Sequence, residues 1–122
     1  MKQGFFLVGL SVLVFTGCGD KKKENEVIFN SPQKNGIYSQ YVPIDIEFKN
    51  EHEPIHEMEL LINEKNNSSV IVFDYDNHVE TNYFRLIDTL FVNLSATTEY
   101  TLKLRTGEDV IREESFDFTL NP

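Results

Sequence analysis

The sequence predicts an all-β domain, an antiparallel sandwich of two sheets with about seven strands. Several short stretches alternate apolar and polar residues, which is the period of a strand with one buried face and one solvated face. Turn-forming stretches such as SPQKNG at 31–36 separate them. No stretch has convincing helical periodicity, so we expect no helices to connect parallel strands.

The clearest strand is Val42–Phe48, where four apolar side chains alternate with Pro43, Asp45 and Glu47. In the strand predicted at Tyr83–Val92, Asp88 interrupts the apolar face, which predicts a β-bulge at this position. The other strands are predicted, in chain order, at Val27–Phe29, Met58–Ile62, Val70–Tyr75, Tyr83–Val92, Tyr100–Leu104 and Phe116–Leu120. Their aromatic and aliphatic residues supply a core for one domain, at about 1.5–3 kcal/mol per fully buried large side chain.

The amino-terminal segment is typical of a secretion signal. Met1-Lys2 is positively charged, and the stretch Gly4–Phe15 contains a single polar residue, Ser11. As a helix this stretch would cover roughly 18 Å, short of the roughly 30 Å hydrocarbon core of a bilayer. We therefore predict that residues 1–17 are a signal peptide and not a permanent membrane span.

The residues that follow, Phe15-Thr16-Gly17-Cys18, resemble the lipobox of bacterial lipoproteins. The resemblance implies that Cys18 carries the lipid and becomes the new amino terminus. The alternative is an incidental thiol after an ordinary signal peptide. The lipidated form predicts a protein anchored in the cell envelope, with the outer membrane of a Gram-negative bacterium as the expected membrane and its face left open.

Residues 18–26 are predicted to be a charged tether, and residues 27–122 the folded domain. Removal of residues 1–17 would leave 105 residues with a formal net charge of −10. Such an acidic surface repels phosphate backbones, so we expect no nucleic-acid partner. With one cysteine in the chain, no intrachain disulfide can form.

One motif refines the fold class. The segment 94–104 (LSATTEYTLKL) places Leu94, Thr98 and Tyr100 at the spacing of the E–F crossing in fibronectin type III domains. This resemblance implies an Ig-like sandwich. It also implies that Tyr100 forms a tyrosine corner, in which the ring packs in the core and the hydroxyl bonds to upstream backbone.

The stretch His52-Glu53-Pro54-Ile55-His56 matches the letters of the zinc-protease motif H-E-x-x-H. That chemistry needs both histidines on one face of a helix, and Pro54 would cost that helix about 3 kcal/mol. An acidic, partly exposed loop is the favoured interpretation. His52 and His56 stay weak candidates for metal binding, and no metal or other cofactor is expected.

Two further patterns are weaker. Asp74, Asp76, Asn77 and His78 resemble a calcium loop, because carboxylates recur there at alternate positions, but Val79 replaces the glycine that such loops require. A solvated turn is the favoured interpretation. Asp88-Thr89-Leu90 resembles a short acceptor pattern for O-glycosylation, which makes Thr89 a candidate glycosylation site.

No nucleophile motif and no glycine-rich phosphate loop occur in the sequence. We therefore expect a non-enzymatic module, held on the membrane by its lipid, that binds an envelope protein or a glycan. The alternatives are a structural subunit or spacer that pairs through a sheet edge, and a metal-dependent hydrolase that uses the His52 loop.

Overall fold

The computed structural model describes residues 24–122, so the predicted signal peptide and Cys18 lie outside the described residues. Eight strands follow one another: β1 (Glu26–Ser31), β2 (Ile37–Tyr38), β3 (Tyr41–Lys49), β4 (Ile55–Glu64), β5 (Asn67–Thr81), β6 (Tyr83–Phe91), β7 (Thr98–Thr106) and β8 (Arg112–Leu120). In this part of the chain, nothing helical has the length and apolar character needed to cross a bilayer.

The strands form two sheets. The three-stranded sheet has the order β1-β3-β6, and the five-stranded sheet has the order β2-β8-β7-β4-β5. All neighbours are antiparallel except the two-residue β2, which lies parallel to the end of β8. The predicted all-β sandwich of two sheets is confirmed, with the short β2 as an additional strand.

The core lies between the sheets and follows the predicted alternation. Val42, Ile44, Ile46 and Phe48 of β3 are at most 1% exposed. The five-stranded sheet covers them with side chains from β4, β7 and β8, which are Met58, Leu60, Ile62, Leu102, Leu104, Phe118 and Leu120. Both sheets therefore contribute their inward rows to one hydrophobic core.

Two local predictions were wrong. The stretch 74–78 is not a turn: it lies inside β5, with Asp76 paired to Glu59 of β4. No bulge occurs at Asp88, because the register between β3 and β6 is continuous from Tyr41↔Phe91 to Lys49↔Tyr83. Since β6 is an edge strand, Asp88 is exposed to solvent and the ladder stays intact.

A buried polar chain closes the end of the sandwich at which β1 begins. The amide of Asn50 donates to Asn25 Oδ1 at 2.9 Å, and that of Asn25 donates to Thr106 Oγ1 at 2.8 Å. Thr106 Oγ1 in turn donates to the carbonyl of Glu57 at 2.6 Å. Asn25 is 3% exposed and Glu26 opens β1, so ordered structure includes two residues that the sequence analysis placed in the tether.

Candidate binding face on the three-stranded sheet

The two histidines of the H-E-x-x-H pattern lie in different surroundings. His52 is exposed in the loop before β4, and its backbone N–H donates to Asn50 Oδ1 at 2.9 Å. His56 lies in β4, with its ring centroid 6.2 Å from that of His78 of β5. Because residues 52–56 form a loop and then a strand, the helix that the protease chemistry requires is not formed.

His56 is surrounded by carboxylates, at 3.8 Å from Nδ1 to Glu80 and 3.6 Å from Nε2 to Glu108. Both distances are longer than hydrogen bonds. Within residues 24–122, no group of three or more His, Cys, Asp or Glu side chains is arranged to hold a metal ion.

The residues of the fibronectin-like motif lie at the core. Leu94 packs against the core, and Thr98 Oγ1 donates to the carbonyl of Ala96 at 3.0 Å. Tyr100 is 0% exposed, and its ring stacks on Phe118 with centroids 6.1 Å apart. Its hydroxyl has no hydrogen-bond partner among the described residues. The hydrogen bond that defines a tyrosine corner is therefore missing here, and burial raises the pKa of Tyr100, with a smaller contribution from Glu64.

The outward rows of β3 and β6 form the candidate binding face. Tyr41, Pro43, Asp45, Glu47 and Lys49 of β3 lie opposite Phe91, Thr89, Ile87, Arg85 and Tyr83 of β6. Since alternate residues of a strand share one side of its sheet, these ten side chains share the face that points away from the core. This outer face divides into an apolar end and a polar end.

The apolar end consists of Tyr41, Phe91 and Pro43, with Thr89 opposite Pro43 and Ile87 at the border with the polar end. The rings of Tyr41 and Phe91 contact each other across the strands, with centroids 4.8 Å apart and planes tilted by 42°. Tyr41 is 61% exposed, Phe91 50% and Ile87 67%. The pair holds two large rings in fixed positions on the surface, although neither ring is covered.

The polar end is an ordered network around Arg85. Its guanidinium donates two hydrogen bonds to Asp45, Nε to Oδ1 at 2.9 Å and Nη2 to Oδ2 at 2.8 Å. Glu47 accepts from the Asn30 amide and the Tyr83 hydroxyl, both at 2.8 Å. Bidentate pairs of this kind hold both side chains in one geometry.

The network shifts the titration of its members. The hydrogen bonds from Arg85 hold the pKa of Asp45 below its ordinary value, and those from Asn30 and Tyr83 do the same for the pKa of Glu47. The bond to Glu47 raises the pKa of Tyr83, and the bonds to Asp45 raise the pKa of Arg85. Both carboxylates are therefore ionised at neutral pH and engaged within the face.

A groove lies on the outside of the five-stranded sheet. This groove has a volume of about 650 Å³ and is lined by Glu59, Leu61, Asp74, Asp76, Lys103 and Arg105, among others. Arg105 is paired with Glu113 at 3.4 Å. Charged and apolar side chains both line the groove, and its exposed lining is more apolar than polar.

Comparison with known proteins supports the fold alone. No protein-family model matches the chain, and neither does any curated protein at the significance required. Among solved structures, the chain is similar to CopC from Methylosinus trichosporium OB3b, with a TM-score of 0.50 and 14% sequence identity. The match covers 80% of this chain and 94% of that one.

Tyr41, Ile87 and Phe91 were not among the site residues predicted from the sequence. The signal was present in the alternation, because the outward row of β6 holds three large apolar residues, Tyr83, Ile87 and Phe91, where a solvated row is usually polar. Thr89, the candidate glycosylation site, lies exposed in the same row. Its backbone N–H donates to Asp88 Oδ1 at 2.7 Å.

Proposed function

We propose that this chain is a lipid-anchored, non-enzymatic module that binds a protein partner in the cell envelope through the outer face of β3 and β6. The apolar end of that face carries the proposal, because the paired rings of Tyr41 and Phe91 are half or more exposed, as is Ile87, which lies on the same face beyond Thr89. Contiguous exposed apolar residues bordered by polar ones mark interaction surfaces.

The two ends of the face match the anatomy of a protein interface. Such interfaces have an apolar centre rich in aromatic residues and a polar rim in which arginine is common. Here Tyr41 and Phe91 form the aromatic part, and the Arg85–Asp45 pair borders it. The polar groups of the rim already bond to one another, which favours an apolar protein surface over a glycan that needs free donors and acceptors.

The position of the apolar end also suits a tethered binder. β1 begins at Glu26, which is paired with Lys49 of β3, and Lys49 lies opposite Tyr83 of β6. Tyr41 and Phe91 lie at the other end of β3 and β6. At about 3.3 Å per residue, the nine-residue β3 separates the two ends by roughly 25 Å. A tether attached before Glu24 would direct the apolar end away from the membrane.

The test is affinity capture from detergent-solubilised envelope with the lipidated chain and two variants. Ile87→Lys places a charge at the border of the apolar end, where Ile87 lies opposite Asp45. Ile37→Lys is the matched control, because Ile37 is equally exposed, 69% against 67%, and lies in the other sheet. We expect one partner to be captured by the wild type and by Ile37→Lys, and at least tenfold less of it by Ile87→Lys.

Equal capture by all three forms would contradict the proposal. So would binding to a glycan array that Ile87→Lys abolishes, since that result assigns the face to carbohydrate. The anchor is tested separately: a mass spectrum showing an unmodified Cys18 would refute the lipidated form and leave the binding face untouched.

A further inference from the structure

The free edge of β6 carries backbone hydrogen-bonding groups that take no part in the binding face. Among residues 24–122, β6 ends the order β1-β3-β6 and has β3 as its one neighbour. An exposed strand edge offers unpaired N–H and C=O groups to any other strand, including the same strand of a second copy. The residues of this edge, YFRLIDTLF, are mostly aromatic, aliphatic or β-branched, a composition that favours strand pairing.

The alternation of backbone hydrogen bonds between β3 and β6 shows which N–H and C=O groups of β6 face the free edge. Val92 N–H donates to Gln40 O at 2.9 Å, and Asn50 N–H donates to Asn82 O at 3.0 Å. Hydrogen-bonded pairs alternate with non-hydrogen-bonded pairs in an antiparallel ladder, so the even-numbered residues of β6 bond to β3. The odd-numbered residues, from Tyr83 to Phe91, direct their N–H and C=O groups to the free edge.

At Tyr83 and Thr89, side chains form hydrogen bonds with these outward backbone groups. Thr81 Oγ1 donates to the carbonyl of Tyr83 at 3.0 Å and accepts the Tyr83 N–H at 3.4 Å. Asp88 Oδ1 accepts the outward N–H of Thr89 at 2.7 Å. An added strand would have to break these bonds to extend along β6.

Asp88 also places a charge in the core-facing row of the edge strand. It stands between Leu86 and Leu90, which are 6% and 4% exposed, and opposite Ile44, which is fully buried. Asp88 is exposed because no strand of the described part of the chain lies beyond β6. A strand added about 4.8 Å away would cover its carboxylate, and no described residue forms an ion pair with Asp88 that could compensate the burial.

We infer that Asp88 closes the β6 edge to strand addition by a second copy of this chain. Without the charge, the core-facing row from Phe84 to Leu90 becomes continuously apolar, and the Thr89 N–H is released. Two copies would then join β6 to β6. Asp88 thus keeps the apolar end of the neighbouring face, with Ile87 and Phe91, available on a monomer.

The test is sedimentation equilibrium of the full chain in density-matched detergent, over a hundredfold range of concentration. We expect the wild type to be monomeric and Asp88→Val to self-associate at least tenfold more tightly. Asp88→Thr, which also removes the charge, serves as the second variant if the valine form does not fold. Glu59→Val is the matched control: it removes the same charge from an interior strand, and we expect it to behave as the wild type.

A second substitution tests whether two copies associate through the free edge of β6. Ile87→Pro in the Asp88→Val background removes an outward N–H without touching the bonds to β3, and we expect it to restore the monomer. The inference is overturned if both Asp88 variants stay as monomeric as the wild type, if Glu59→Val associates equally, or if Ile87→Pro leaves the association unchanged.

Discussion

Two tyrosines of the five-stranded sheet use their hydroxyl groups differently. The hydroxyl of Tyr38 accepts the backbone N–H of Gln33 at 2.7 Å. The hydroxyl of Tyr100 is buried among core side chains and has no hydrogen-bond partner in residues 24–122. A buried hydroxyl without a partner costs about 1–3 kcal/mol of desolvation that nothing repays. The same functional group is therefore stabilising at position 38 and destabilising at position 100.

Replacing Tyr100 with phenylalanine tests this difference. The ring would keep its contact with Phe118 and lose only the hydroxyl, so we expect the free energy of unfolding to stay the same or rise by up to about 1 kcal/mol. Urea denaturation followed by circular dichroism measures it. Tyr38→Phe is the control, with an expected loss of about 0.5–1.5 kcal/mol. A loss of that size in Tyr100→Phe would instead support a tyrosine corner.

At the scale of elements, an ion pair on the outer face of the three-stranded sheet stabilises the pairing of β3 with β6. Arg85 and Asp45 lie on neighbouring strands and join through two hydrogen bonds. Glu47, two residues along β3, is bonded by Asn30 of β1 and Tyr83 of β6. One network thus connects all three strands of the sheet across the face opposite the core.

This network predicts how stability depends on pH. The pKa values of Asp45 and Glu47 are lowered in the folded chain from 3.8 and 4.5. A lowered pKa means that the unfolded chain takes up the proton first, so the stabilisation is complete above these values and is lost as the pH falls through the folded pKa. We expect Arg85→Gln to be less stable than the wild type at pH 7, and the difference to shrink below about pH 4.

Thermal unfolding of both forms from pH 7 to pH 3 measures this convergence. Lys34→Gln is the control, because Lys34 is exposed in the turn before β2 and forms no ion pair among the described residues. It removes one positive charge without touching the network. A gap between the wild type and Arg85→Gln that stays constant down to pH 3 would contradict the role of the two carboxylates.

At the scale of the whole molecule, the buried chain of Asn25, Asn50 and Thr106 joins elements distant in sequence. Thr106 ends β7 in the five-stranded sheet, and Asn50 directly follows β3 in the three-stranded sheet. Asn25 stands between them and bonds to both. The point where the chain enters the domain is therefore fastened to both sheets.

Asn25→Ala should lower the free energy of unfolding of the whole domain by about 1–3 kcal/mol, because it removes two buried hydrogen bonds at once. Chemical denaturation of the full chain measures the loss. Asn67→Ala is the control, since its Oδ1 accepts a hydrogen bond from Ser69 at the exposed surface, and we expect a change of about 0.5 kcal/mol or less. If the two substitutions cost the same, the buried chain has no special role.

The charge of the molecule is also a property of its whole surface. The full chain has 20 acidic and 11 basic residues, a formal net charge of −9, and residues 24–122 hold 19 of the acidic and seven of the basic ones. The basic residues are largely used within the fold, as in the pairs Arg85–Asp45, Lys65–Asp117 and Arg105–Glu113. The remaining acidic surface sets apart the uncharged apolar end of the binding face.

Particular residues show where sequence-based prediction succeeded. Val42, Ile44, Ile46 and Phe48 were predicted to share a buried face, and all are at most 1% exposed. The two-residue β2 was missed, because its pairing with Thr119 and Leu120 leaves no alternation to detect. The stretch 74–78 was mistaken for a turn, because Asp and Asn favour turns locally whereas pairing with β4 extends the strand through them.

The amino-acid sequence by itself determined the all-β class, the position of seven of the eight strands and the core, because alternation with a period of two decides which side chains a strand can bury, whatever its neighbour. Only the tertiary structure decided the contacts between strands. Tyr41 meets Phe91, Asp45 meets Arg85, and His56 meets His78 in place of His52. These contacts depend on which strands pair and in what register, and that choice is made by the packing of the whole core.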